Sequence, residues 1–211
     1  MGSSQEFLKR IFELLSEDGF RQPSRGIYVK PWIDAWRGWV GIDSGRYSLG
    51  PVVGLFNDEF WKASSEALKR LGAPWQHGEN GPPLIMINLQ QLAEQDAEGT
   101  ARISWTFSGK ALQPSVAEDI VYCIRTFGYP YIQAHTNIEA LWRAAVDERR
   151  ASPAFLMYLP ILLIKLDRLD TLSQFVAANR ERPVTADLSV NYEQYVEALL
   201  EMNNSGSGTA N

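Results

Sequence analysis

The hydrophobic period switches between helical and strand spacing along this chain, and that switching restricts the folds open to it. Residues 4–18 (SQEFLKRIFELLSED) set Phe7, Leu8, Ile11, Phe12, Leu14 and Leu15 along one side of a helix. Ser3 or Ser4 suits its start, and Gly19 its end. Short runs bounded by Gly, Pro and Ser follow: 26–30 (GIYVK), 38–43 (GWVGID) and 52–56 (VVGLF). Their β-branched and aromatic residues favour strands. Residues 84–89 (LIMINL) and 101–108 (ARISWTFS) read as two further strands, the latter with Ile103, Trp105 and Phe107 alternating on one face. Asn57 or Asp58 opens a helix to about Leu71, closed by Gly72 and Pro74, and residues 90–99 read as a short helix or polar loop.

From Pro114 the period returns to that of helices. Residues 115–127 form one, ended by Gly128 and Pro130, and 137–150 a second. Ser152-Pro153 opens a third, running through FLMYLPILLIKL and apolar nearly all round. A fourth starts at Asp170 and ends near Arg180; a fifth starts at Asn191 or Tyr192 and ends near Met202. The expected class is α+β: an N-terminal helix plus a mostly antiparallel five-stranded sheet, then a C-terminal helical layer. The expected division is an α/β half over residues 1–110, a helical half over 111–203 packed on it, and a disordered tail over 204–211.

The chemistry open to the chain is narrow. It has two histidines, His77 and His135, one cysteine, Cys123, and seven tryptophans. Neither histidine stands at metal-ligand spacing, so a solvated loop role for His77 and a capping or packing role for His135 are expected, with no metal. Cys123 lies on an apolar helical stripe beside Ile120, Val121 and Ile124, which suits a buried structural thiol. No phosphate-cradling glycine motif and no serine elbow is present, and no cofactor is expected. A net charge of -5 argues against nucleic acid as the main partner, because phosphate binding needs a positive field. One cysteine allows no internal disulfide, which favours a reducing compartment. The longest apolar run, 154–166, is too short to span a bilayer and contains Pro160. The expectation is a cytoplasmic protein with no membrane role.

The densest local signal is PWIDAWRGW, residues 31–39, with three tryptophans and an arginine. Exposed, such a stretch has hot-spot composition: rigid apolar area beside a fork-shaped donor. In the core, the indoles would pin the first helix onto the sheet. Alternation sends Trp36 and Trp39 to opposite faces of a strand, so at least one indole should be buried and at least one near the surface. The partner-binding residues expected here are Trp32, Asp34, Trp36 and Arg37, with Asp43 and Arg46 as rim.

The stretches FLKRIFELLSEDGFRQPSRGIYVKP, GWVGIDSGRY and VVGLFNDEFW together resemble small bacterial domains of uncharacterised type found among toxin-immunity proteins. The resemblance covers roughly residues 5–70 and does not extend into the helical half. It implies a cytosolic antidote that binds one cognate toxin without catalysis of its own. The expected function is therefore a non-enzymatic protein-binding module, with an immunity protein as its specific form. Its partner is a protein, in that form a basic toxin domain, and the chain itself is a monomer or weak homodimer. The alternatives are an enzyme acting on a carbohydrate or small molecule through Asp34 and Asp43, and a helical adaptor built around residues 159–169.

Overall fold

Helix α1 (Ser4–Glu17) forms where the period indicates, with Phe7, Leu8, Ile11 and Leu15 buried. Gly19, at φ +88, closes it: its N–H donates to Ser16 O and the Phe20 N–H to Leu15 O, the paired bonds of a Schellman motif. The computed structural model describes residues 4–44, 49–73, 83–95, 114–185 and 189–207. The fold is α+β, with an N-terminal helix, a five-stranded antiparallel sheet and a mostly helical C-terminal part.

The strands are β1 (Arg21–Ser24), β2 (Ile27–Ile33), β3 (Trp36–Ser44), β4 (Leu49–Asn57) and β5 (Ile85–Asn88), paired in chain order. β1 runs antiparallel to β2 with an irregularity between Arg21 and Ser24. It is RQPS, with no apolar alternation to reveal it, and its proline is tolerated because the strand lies at the sheet edge. Gly26, at φ +74, makes the turn; a Cβ there would meet the carbonyl oxygen of Ile42, whose N–H donates to Gly26 O at 2.7 Å. The outer side of β5 is taken by residues 150–152: the Met86 N–H donates to Arg150 O and the Ser152 N–H to Leu84 O. The strand expected at 101–108 lies outside the described residues.

Contacts divide the chain into two compact units, Met1–Phe56 with Pro82–Ser152 and Asn57–Gly81 with Pro153–Asn211. The units interleave because helix α2 (Asp58–Arg70) is inserted between β4 and β5. The boundary expected near 109–114 falls, Pro114 apart, outside the described residues. Residues 114–152 group with the sheet rather than with the later helices. The sheet unit contains α3 (Leu89–Gln95), α4 (Pro114–Cys123), α5 (Tyr129–Ala134) and α6 (Ile138–Trp142). α4 packs on α1, where Arg10 meets Glu118 at 2.7 Å.

Gly128 and Pro130 do not end the helix that begins at Pro114. A π-helical turn, Ile124–Gly128, joins α4 to α5 and carries the chain to Ala134. Pro130 follows directly on this turn, where the Tyr129 N–H donates to Ile124 O five residues back and the ordinary four-residue ladder is already interrupted. Gly128 serves close approach, since a Cβ there would lie 2.9 Å from Val53 Cγ1. A second π turn, Arg143–Asp147, follows α6, whose cap is Asn137 accepting the Ala140 N–H.

The other unit consists of α2, α7 (Phe155–Lys165), α8 (Leu169–Asn179) and α9 (Tyr192–Ser207). Asn57 caps α2 by accepting the N–H groups of Glu59 and Phe60. α7 buries Phe155, Met157, Tyr158, Pro160, Ile161, Leu162 and Leu163, so within the adaptor stretch 159–169 residues 160–163 are core while Lys165, Asp167 and Leu169 are exposed. Ser152 does not cap α7; its hydroxyl is buried without a hydrogen-bond partner among the described residues, and the helix starts after Ala154. α8 begins at Leu169 with Asp170 in its first turn. A reciprocal capping box opens α9, in which Asn191 Oδ1 accepts the Gln194 N–H and Gln194 Oε1 the Asn191 N–H. α9 continues through Ser207, into the stretch where composition suggested disorder. Among the described residues, no helix is long and apolar enough to cross a membrane.

Candidate functional site

The tryptophan-rich stretch folds as the end of the β2–β3 hairpin. Ile33 pairs with Trp36 across a turn in which Asp34 takes φ +49, a conformation Asp adopts more readily than most residues. Trp36 and Trp39, three apart on β3, face opposite sides, and both are buried, at 7% and 9% exposure. Arg37 is also buried, at 6%, with its guanidinium carbon 4.7 Å from the Phe56 ring centroid. Trp36 and Arg37 therefore belong to the interior and offer no surface anchor. β3 is covered on both faces, a condition that the local sequence WRGWVGIDS does not reveal.

The exposed end of the hairpin holds Trp32, partly exposed, Ile33, at 45% exposure, and Asp34. The side chain of Asp43 and all of Arg46 lie outside the described residues, as does His77. Asp34 precedes β3 and the backbone of Asp43 lies near its far end; the extended strand from Trp36 to Asp43 alone spans about 23 Å at about 3.3 Å per residue. Paired glycosidase carboxylates sit within about 10 Å of each other, so these two cannot form such a pair.

A second set of residues surrounds Trp32. Its indole N–H donates to Gln133 Oε1 at 2.7 Å, and its ring stands edge-on to Tyr129 with centroids 5.3 Å apart. Tyr129 donates its hydroxyl to Asp18 Oδ2 at 2.5 Å. Arg125 Nε donates to the same oxygen at 2.8 Å, and its Nη2 reaches Leu14 O at 3.2 Å. Lys30 lies one alternation before Trp32, and Phe20 stacks on Tyr129. Burial alone would raise the Asp18 carboxyl, but the hydrogen bonds from Arg125 and Tyr129 outweigh it and hold the group below its ordinary range. Burial, and then donation to Asp18, pushes the Tyr129 phenol up.

Reading the sequence alone missed Asp18, Phe20, Lys30, Arg125, Tyr129 and Gln133. Part of the signal was present: Arg125, Tyr129 and Gln133 recur every four residues. That ridge is lost once the helix is taken to stop at Gly128. Further along the outward face of α4, Tyr122 is 65% exposed.

Cys123 is buried, and that burial pushes its thiol up to about 11. His135 sits at the C-terminal end of α5, where Nδ1 donates to Tyr131 O at 2.7 Å. Among the described residues, no group of three or more His, Cys, Asp or Glu side chains is placed to hold a metal ion. No protein-family model matches the chain, and no curated protein or solved structure matches it either.

Proposed function

We propose that this protein is a non-enzymatic protein-binding module and, in its most specific form, a cytosolic immunity protein that neutralises a cognate bacterial toxin by direct binding. One observation carries the binding reading. Trp32 is partly exposed yet fixed by Gln133 and Tyr129, and it stands beside the exposed Ile33 and Asp34. A preset aromatic with an apolar neighbour loses little freedom on docking, and that is where binding energy concentrates. Asp34 supplies an acid at the rim, suited to a basic partner. The immunity form rests on the resemblance of residues 5–70.

The test is binding to the product of the adjacent open reading frame, measured by calorimetry. Combined Trp32→Ala and Ile33→Ala should weaken affinity about 30-fold or more, the scale of a hot-spot loss, while leaving thermal unfolding cooperative. Unchanged affinity would discard this surface. In the immunity form, co-expression should also rescue growth from that toxin.

A further inference from the structure

Lys30 passes from β2 over Gly19, where a Cβ would lie 4.0 Å from the Lys30 Cε. Its ammonium stops 5.1 Å from the Trp32 ring centroid, 5.6 Å from that of Tyr129 and 5.8 Å from that of Phe20. Three aromatic rings thus converge on one cation, an arrangement that recognises ammonium groups.

The frame of this box is rigid. Phe20 is buried and stacked on Tyr129 with centroids 6.0 Å apart. Tyr129 is tied through its hydroxyl to Asp18, and Trp32 through its indole N–H to Gln133. The occupant is held much less firmly. Among the described residues, the Lys30 ammonium has neither a hydrogen bond nor an ion pair within 4.0 Å, and both side-chain bonds that Asp18 accepts come from Arg125 and Tyr129. At a partly exposed site each ring contact is weak, and a lysine gives up rotamer freedom to keep it.

We infer that this box is a subsite for a lysine ammonium of the protein partner, with Lys30 as the resident group that the incoming cation replaces. The inference rests on the protein-binding reading and names the chemistry at the centre of that surface. Asp18 sets the sign: its carboxylate feels the charge of Lys30, so a partner ammonium would meet the field that Lys30 meets, whereas a partner carboxylate would face an acid.

The experiment follows the Trp32 indole N–H by nuclear magnetic resonance in the full chain, titrated with tetramethylammonium chloride and separately with acetyl-Gly-Lys-Gly-amide. Sodium chloride controls for ionic strength. Lys30→Ala and Lys30→Ser should give saturable shifts with both probes. Their midpoints should lie measurably below the wild-type value, because the tethered Lys30 no longer competes for the box. Adding Trp32→Leu should abolish a second box reporter, the Phe20 amide shift. No shift beyond that of sodium chloride, in the wild type or in either folded variant, would overturn the inference. A response to tetramethylammonium alone would overturn the assignment to a lysine side chain. Neither probe is the partner, so failure here would leave the protein-binding reading standing.

Discussion

Trp32 donates its indole N–H to Gln133 across 101 residues of chain, joining β2 to α5, whereas Trp36, four residues on, is buried within the fold. The two indoles should respond very differently to truncation. Trp36→Ala leaves a large void in a close-packed region and should cost about 3–5 kcal/mol. Trp32→Ala removes a partly exposed ring and one hydrogen bond, and should cost about 1–1.5 kcal/mol. Urea unfolding of the two variants checks this, and equal losses would contradict the assignment of Trp32 to the surface and Trp36 to the core.

Those tryptophans also show how far the sequence could be read. Elements whose determinants are local were legible: α1 and α2 carry their apolar spacing and a closing glycine within a few residues, and α2 its cap at Asn57. β1 was not, because Arg21–Ser24 owes its strand conformation to pairing with β2 and to nothing in its own composition. The π turn at Ile124–Gly128 likewise turned two apparent stop signals into continuation. At the candidate site, Trp32 and Asp34 were legible from residue density, but the rings around Trp32 come from the end of α1 and from α5. Burial of Trp36 and Arg37 depends on what covers each face of the sheet, which no local period records.

The Asp18 lock predicts a pH dependence. Its carboxyl is held below the ordinary value of 3.8, mainly because the hydrogen bonds from Arg125 and Tyr129 outweigh burial. A depressed carboxyl stabilises the fold above its unfolded pKa, and that stability is lost as pH falls through the folded pKa. Asp18→Asn should therefore cost about 1–2 kcal/mol near pH 6, toward the lower end because solvent screens the part-exposed Arg125. The gap between variant and wild type should close progressively below about pH 4. Denaturant midpoints measured across that range test it; a gap independent of pH would mean that Asp18 acts through packing rather than charge.

Inside the helical unit, Ser64 Oγ and Tyr195 Oη lie 2.6 Å apart with both side chains buried, and burial pushes the Tyr195 phenol up. Either hydroxyl can donate, so each satisfies the other in a site that water does not reach. Removing one leaves its partner unsatisfied; Ser64→Ala and Tyr195→Phe should each cost about 1–3 kcal/mol. The double variant removes both polar groups and should cost less than the two single losses together, with a coupling of about 0.5–3 kcal/mol. Tyr158 supplies the contrast within the same unit. Its hydroxyl is buried with no hydrogen-bond partner among the described residues, so Tyr158→Phe relieves a desolvated group and should be neutral or stabilising. A double-mutant cycle on Ser64 and Tyr195, with Tyr158→Phe measured beside it, by thermal and denaturant unfolding checks these outcomes. Strict additivity at Ser64 and Tyr195, or a large loss at Tyr158, would show that the polar groups of this core are paired differently.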